Sequence, residues 1–302
     1  MSLVPVARLI GDARRGGYAV GYFESWNVES LAGVIDAAEQ VRSPILIGFN
    51  GEFLTRPQRL AAERIEWYAT VARAAAQSAS VPVGMLFNEC SRDECIRQAI
   101  LAGFSQAMLD DPDASADQCI RRVRDLAAFA HQHGAIMEAE VGELSWGADA
   151  ANTGHGQATD PDAAAAFVDQ TGVDLIAVSV GNVHALADGR RNLDLELLAA
   201  IAKRVNVPLD LHGGTGIADG SLREAIGLGV AKVCYGTYLK RAYLDTIRKA
   251  LACDEPDPHK LLGMGGPQDV MTAGRLAVRD AVLERIGALG SVGQAKETQS
   301  GD

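Results

Sequence analysis

The sequence predicts an α/β protein of the (β/α)8 type, in which eight parallel strands, each followed by a helix, close into a barrel that leads into a C-terminal helical extension. Three observations predict it. Short apolar or β-branched runs alternate eight times with longer segments of helical periodicity, from about Tyr18 to about Ala250. The runs are continuously apolar, as expected of parallel strands wrapped by helices. Polar residues and glycines follow the runs directly, where such barrels gather their functional groups at the carboxyl ends of the strands. An open doubly wound sheet is the structural rival, and the eightfold count favours closure.

In chain order the strands are expected at Tyr18 to Phe23, Pro44 to Phe49, Pro82 to Phe87, Gln106 to Asp110, Ala135 to Glu140, Leu175 to Ser179, Pro208 to Leu211 and Lys232 to Tyr235. Helices follow them, for example over Glu29 to Val41 and Arg56 to Gln77. Two segments fall outside the alternation. Val141 to Thr159, rich in Gly, Ala, Asn and Thr, reads as a long loop after the fifth strand, and loops of that length often act as lids. Glu255 to Ala295 opens with turn-forming stretches (DEPDPHK, GMGGP) and continues as an amphipathic helix from about Val270 to Leu289. The barrel domain is therefore expected over 1–254. Residues 255–302 form a loop and helix packing on the barrel or on a neighbouring subunit, and the tail from about 296 (KETQSGD) is expected to be disordered.

Composition narrows the function. A chain of 302 residues with 48% hydrophobic content can bury roughly 75% of its unfolded-state surface. A net charge of -11 with no basic stripe argues against a nucleic-acid partner. The five cysteines, Cys90, Cys95, Cys119, Cys234 and Cys253, are odd in number and form no CxxC pair, so a reduced cytoplasm is expected. The N-terminal apolar stretch is broken by Arg8, Asp12, Arg14 and Arg15, too soon for a signal sequence, and no run is long enough to span a bilayer.

Polar residues at strand carboxyl ends would converge on one mouth, and this rule selects Glu24, Asn50, Asn88, Glu89, Asp110, Glu138, Glu140, His184, His212, Thr215 and Thr237. His184 closes DLIAVSVGNVH and His212 opens HGGTG, so both would stand at the ends of adjacent strands. With Glu89 they form a set suited to a divalent first-row metal, with positions left for substrate oxygens; zinc is the first choice. Paired with each other they are harder to explain as capping or core histidines than either would be alone. The glycines of HGGTG, Gly213 and Gly214, bring backbone N–H groups to a helix start near Asp219 and could hold a phosphate, a use that YGT at Tyr235 to Thr237 repeats after the eighth strand. Glu138 and Glu140 share one strand face and must be paired, hydrogen-bonded or functional. His131 and His133, late in a helix, and His259, in a loop, read as surface residues, whereas His155 in the long loop could exchange a proton when that loop closes.

The runs MEAEVGEL, TDPDAAAAFVDQTGVDLIAVSVGNVHAL, LDLHGGTGI and GVAKVCYGTYLKRA, preceded by AVGYF and AAEQVRSPILIGFNG, resemble in order the class II, metal-dependent fructose-bisphosphate and tagatose-bisphosphate aldolase family, over roughly Val4 to Leu251. The C-terminal GSVGQA resembles the end of that family's last helix. The resemblance implies a TIM barrel in which zinc polarises the ketone of a dihydroxyacetone phosphate unit and stabilises an enediolate during reversible aldol cleavage. It also implies a homodimer or homotetramer. His184 and His212 match two of the family's zinc ligands, Gly213, Gly214, Thr215 and Thr237 match its phosphate loops, and Glu140 matches a carboxylate near its metal.

The departures cluster at the mouth. Where the family carries HLDHG, this chain has LFNEC, so Asn88 stands in place of the proton-donating aspartate and Glu89 in place of the third zinc histidine. Asparagine cannot transfer that proton, and a glutamate ligand shifts preference somewhat toward manganese, cobalt or iron. Cys234 replaces the asparagine of the KxN motif, Glu24 replaces a first-strand asparagine, Gly236 an aspartate, and Ala185 a glycine. The expectation is a divergent aldolase acting on a small anionic, sugar-like substrate other than fructose 1,6-bisphosphate. Glu89, His184 and His212 would bind the metal, and Glu24, Glu140 or His155 would take over proton transfer. A metal-dependent isomerase, epimerase or decarboxylase, and a catalytically decayed sugar-phosphate binding protein, are the alternatives.

Overall fold

The computed structural model describes residues 2–146, 156–184 and 189–295. Its strands are β1 (Val20–Glu24), β2 (Ile45–Asn50), β3 (Val83–Cys90), β4 (Gln106–Leu109), β5 (Ile136–Val141), β6 (Ser145–Trp146), β7 (Leu175–Val178), β8 (Val183–His184), β9 (Leu209–Leu211) and β10 (Val230–Tyr235). Eight of them close a parallel barrel in chain order, β1 meeting β10 at the seam, while β6 and β8 pair as a separate two-stranded sheet. The fold is thus an α/β TIM barrel.

Helices α2 (Val28–Gln40), α3 (Gly51–Thr55), α4 (Ile65–Ser78), α5 (Asp93–Leu101), α6 (Ala116–Gln132), α7 (Pro161–Thr171), α8 (Leu195–Arg204), α9 (Asp219–Gly227) and α10 (Thr237–Leu251) surround it. The outer face of the strands (Phe23, Ile47, Phe87, Val178) packs against helix residues such as Leu31, Ala72, Leu126 and Leu198 in one continuous core. Local signals start several helices: Asn27 and Ser115 make capping boxes with Ser30 and Gln118, and Asp160 caps α7 ahead of Pro161.

A helix not foreseen in the sequence precedes the barrel. In α1 (Val6–Gly16), Val6, Leu9, Ile10 and Ala13 recur at helical spacing and share a core with Tyr22, Leu46, Leu86 and Leu175, which closes the amino end of the barrel. The helix expected over Arg56 to Gln77 is instead α3, ending at Thr55, and α4, beginning at Ile65. Pro57 explains the break, because it drives Arg56 out of the helical region to ψ 136°.

After α11 (Pro258–Leu261), on which His259 lies, α12 (Val270–Leu289) packs on α2 and α10 beside the seam. Arg275 grips Asp36 of α2 with two hydrogen bonds of 2.5 and 2.6 Å, and Arg285 lies over the Tyr238 ring at 4.2 Å. No helix among the described residues is long and apolar enough to cross a membrane. The expected lid residue His155, Ala185 and the tail from about 296 lie outside the described residues.

Candidate active site

Glu89 reaches the mouth through a backbone irregularity. Strand alternation would send Leu86 and Asn88 inward and Glu89 outward. Between Phe87 and Cys90 the register of β3 against β4 slips, and Glu89 adopts φ 49°, rare for a residue with a Cβ. The bulge brings Glu89 into the cleft beside Asn88. Asn50, whose Oδ1 caps α3 by accepting from Phe53 N at 2.9 Å, donates its Nδ2 to Glu89 Oε2. Such strain persists only where surrounding contacts over-determine it.

His184 lies past the end of its barrel strand, on a short strand of its own. β7 stops at Val178, and His184 sits on β8 after a turn built by Asn182. Asn182 Oδ1 accepts from Val180 N at 2.9 Å, and its Nδ2 donates to the carbonyls of Val178 at 3.1 Å and His212 at 3.0 Å. That amide ties the turn to the end of β9 and brings the rings of His184 and His212 to a centroid distance of 5.6 Å.

His212 is the hub. Its Nδ1 lies 3.2 Å from Glu89 Oε1 and 3.6 Å from Glu140 Oε2, while its Nε2 lies 3.3 Å from both Glu138 Oε1 and Asp210 Oδ2. Beneath it Lys232 Nζ contacts Glu138 Oε2 and stands 3.0 Å from Asp210 Oδ2; all three of these side chains are fully buried. Gln106 also donates to Glu138, and the Cys234 thiol donates to Asp210 Oδ2 at 3.2 Å. Burial disfavours a charge on His212, yet the Cys234 thiol and the carboxylates of Asp210 and Glu138 reverse this and raise its pKa well above the usual value. Burial also raises Glu140, to about 7, with His212 opposing and Asp110 and Glu89 adding to it. Burial and then the neighbouring His212 push His184 down to about 4, so it is neutral at pH 7. Burial works against the charge of Glu89, but the adjoining His212 holds it down at about 2.

Ligand atoms of Glu89, His184 and His212 all lie within 4.8 Å of one another. Nδ1 of His212 is buried and makes no hydrogen bond, so the nitrogen facing Glu89 is the one left open to a metal that displaces its proton. Two ligands about 2.1 Å from a tetrahedral ion stand roughly 3.4 Å apart, close to the 3.2 Å between Glu89 Oε1 and His212 Nδ1. Two imidazoles and a carboxylate fit a divalent first-row ion.

The glycine turn lies beside this group. Gly213, at φ 67°, takes a conformation that favours glycine, and a Cβ there would collide with the Val183 carbonyl. The turn continues as a 3-10 segment, Gly214–Gly216. Gly213, Thr215, Cys234, Gly236, Thr237, Lys240 and Arg241 line a cavity of about 250 Å³ that also holds Glu24, Asn88, Glu89, His184 and His212. Thr237 is the first residue of α10, whose first-turn N–H groups have no intrahelical acceptor. Gly236 leaves room for Glu24, because a Cβ there would collide with Glu24 Oε2. Lys240 holds the other oxygen of Glu24 at 2.5 Å, and burial raises the pKa of Glu24 against the lowering effect of Lys240. A second arm of the cleft, about 460 Å³, runs past Glu89, Glu140 and His184 to Glu52, Asp110 and Asp113, with Arg56 the sole lysine or arginine among its described lining residues.

The structure therefore gathers Glu24, Asn88, Glu89, His184, His212, Gly213, Thr215, Cys234, Gly236 and Thr237 into one cavity, with Glu140 in the adjoining arm and Gly214 buried in the turn. His131 and His133 are exposed, His131 on Asp174 at 2.9 Å, and His259 is exposed as well. Missed in the sequence were Asp210, Lys232 and Gln106, whose signal was a single charged or amide side chain inside an otherwise apolar strand.

A (β/α)8 barrel that gathers ionisable groups at the carboxyl ends of its strands in this way is an enzyme of the TIM-barrel class. Comparison with known proteins gives its kind. The chain belongs to the class-II fructose-bisphosphate aldolase family, whose profile matches residues 4–294. It is 33% identical over 287 residues to the protein YdjI of Escherichia coli K12, covering 94% of this chain and 96% of YdjI. The crystal structure of the YdjI aldolase superposes with a TM-score of 0.79 at 32% identity, covering 97% of this chain and all of that one. A probable fructose-bisphosphate aldolase of Bacillus subtilis 168 is 30% identical over 304 residues (98% and 100% of the two chains). The sulfofructosephosphate aldolase of Alkalicoccus urumqiensis is 28% identical over 298 residues (98% and 99%). The protein is thus a divergent aldolase-like lyase of a family that typically depends on a divalent metal, and it carries a residue group able to hold one.

Proposed function

We propose that the protein cleaves, reversibly, a carbon–carbon bond of a ketose monophosphate, with Glu89, His184 and His212 holding the metal, zinc in the first instance and manganese, cobalt or iron as its rivals. The single observation that carries this reading is the position of the Glu89, His184 and His212 group between the glycine turn and Glu140. A bound divalent ion supplies electrophilic polarisation of a carbonyl and offsets the negative charge that develops as the bond breaks. The phosphate sits on the backbone of Gly213, Gly214 and Thr215 and at the start of α10, where Gly236 and Thr237 meet it. Cys234 forms part of the floor beneath the substrate.

Glu140 takes the proton of the hydroxyl on the carbon that becomes the aldehyde. Its oxygen is 3.6 Å from the metal-facing nitrogen of His212, and a pKa of about 7 in the metal-free protein suits it to exchange a proton. Asn88, buried at the end of β3 with its Oδ1 unpaired, orients a substrate hydroxyl and moves no proton. Glu24, pinned by Lys240, fixes the ketone-side hydroxyls and is the second candidate for proton transfer; His155 is the third. The barrel over 1–254 carries the chemistry, and α12 of the C-terminal extension covers its seam. The protein works in the cytoplasm as a homodimer or homotetramer.

The charge of the cleft selects the substrate. The first arm offers Lys240 and Arg241 to a phosphate, whereas the carboxylates of the second arm would repel another one. An uncharged polyhydroxy end therefore occupies the second arm. Aldehyde release from ketose 1-phosphates and from ketose 1,6-bisphosphates, measured with each metal and after chelation, tests the reading. The expected result is metal-dependent release with kcat/KM at least tenfold higher for the monophosphates. Equal or better use of bisphosphates would reject the charge argument, and solvent-proton exchange at the substrate carbon without aldehyde would assign an isomerase or epimerase instead.

A further inference from the structure

We propose that Asp210 is a positioning residue for the metal-facing histidine: together with Glu138 it holds His212 by Nε2 and so presents Nδ1 to Glu89 and His184. The inference rests on the metal reading above and concerns residues behind the metal, none of which touches the substrate cavity except Cys234. Asp210 precedes His212 by two residues at the end of β9, so strand alternation turns both side chains into the barrel. The two nitrogens of His212 have different company. Nε2 lies 3.3 Å from Asp210 Oδ2 and 3.3 Å from Glu138 Oε1, while Nδ1 has no hydrogen-bond partner. An imidazole that donates from Nε2 to a carboxylate keeps its lone pair on Nδ1, and such an outer carboxylate fixes the ring and strengthens its hold on a metal.

Asp210 is itself held in place. Its Oδ2 accepts from the Cys234 thiol at 3.2 Å and lies 3.0 Å from Lys232 Nζ, a residue that β9 and β10 bring directly opposite Asp210 in register. Glu138, Asp210 and Lys232 are all fully buried and touch one another on the far side of the imidazole from Glu89 and His184. Asp210, His212 and Cys234 also lie within 4.8 Å of one another and could in principle surround a second cation. The Lys232 ammonium already occupies that side of Asp210 and would repel it, so the geometry points to the positioning role.

Metal affinity, read by competition with a chromophoric chelator, and metal content per chain test the proposal on the full-length protein and on Asp210→Asn. The wild type is expected to hold one metal per chain, and Asp210→Asn to bind it about 10- to 100-fold more weakly. At saturating metal the variant should recover most of its kcat with KM for substrate unchanged, which a general loss of structure would not allow. If Asp210→Asn fails to fold, the double variant Asp210→Leu with Lys232→Met removes the buried pair together and should show the same loss of affinity. Unchanged affinity in a folded variant overturns the proposal. Two metals per wild-type chain, one of them lost in Asp210→Asn, would make Asp210 a ligand and also overturn it. Absence of metal from the wild type after reconstitution would instead remove the metal reading on which it rests.

Discussion

Replacing Glu140 with glutamine lowers kcat by about 10²- to 10⁴-fold, the usual worth of a positioned acid–base group, and leaves the metal content unchanged. Glutamine preserves size and hydrogen bonding but cannot exchange a proton. The pH dependence carries the same signature. A base must be ionised to act, so activity rises with pH through its pKa and levels off above it. Glu140 is raised to about 7 in the metal-free protein, and a bound cation beside it favours the charged form, so the acid limb of kcat/KM should lie at or below pH 7 in the loaded enzyme. Steady-state rates from pH 5 to 9, with metal analysis of the same samples, check both parts. A Glu140→Gln enzyme that keeps its kcat would return the role to Glu24 or His155.

The second large effect falls on stability. Lys232→Met should destabilise the fold by about 3–5 kcal/mol, because it leaves the buried carboxylates of Glu138 and Asp210 facing each other without their ammonium. The loss should depend on pH. Burial already raises the pKa of Glu138 against the lowering effect of Lys232, and without Lys232 it rises further, so the folded variant binds more protons than the unfolded chain and its stability falls more steeply as pH rises. Urea unfolding at pH 5 and pH 8 should therefore show the larger deficit at pH 8. A deficit below about 1 kcal/mol at both pH values would mean that the pair is not ionised as described.

The barrel could be read from the sequence because eight continuous apolar runs, separated by helical periodicity, leave few other ways to bury the strands. The break at Pro57 and the helix over Val6–Gly16 were missed for different reasons: the first is a one-residue effect inside a helical pattern, and the second begins before the alternation does. At the site, residue type identified Glu89, His184 and His212, yet not how they meet. Glu89 depends on a bulge and a φ of 49°, and His184 on a turn whose lock is the Asn182 amide. Asp210 and Lys232 are 22 positions apart, and only the register of β9 on β10 places them opposite each other. Each alone looks like one charge in an apolar strand.

Metal content per chain, determined by mass spectrometry on untagged protein beside His184→Ala and Glu89→Ala, tests the central claim most directly. About one divalent transition metal per wild-type chain, lost from both variants while their circular dichroism stays native, is the predicted result. Retention of the metal in Glu89→Ala would contradict the ligand set, and a wild-type protein that takes up no metal after reconstitution would contradict the metal-dependent aldolase itself.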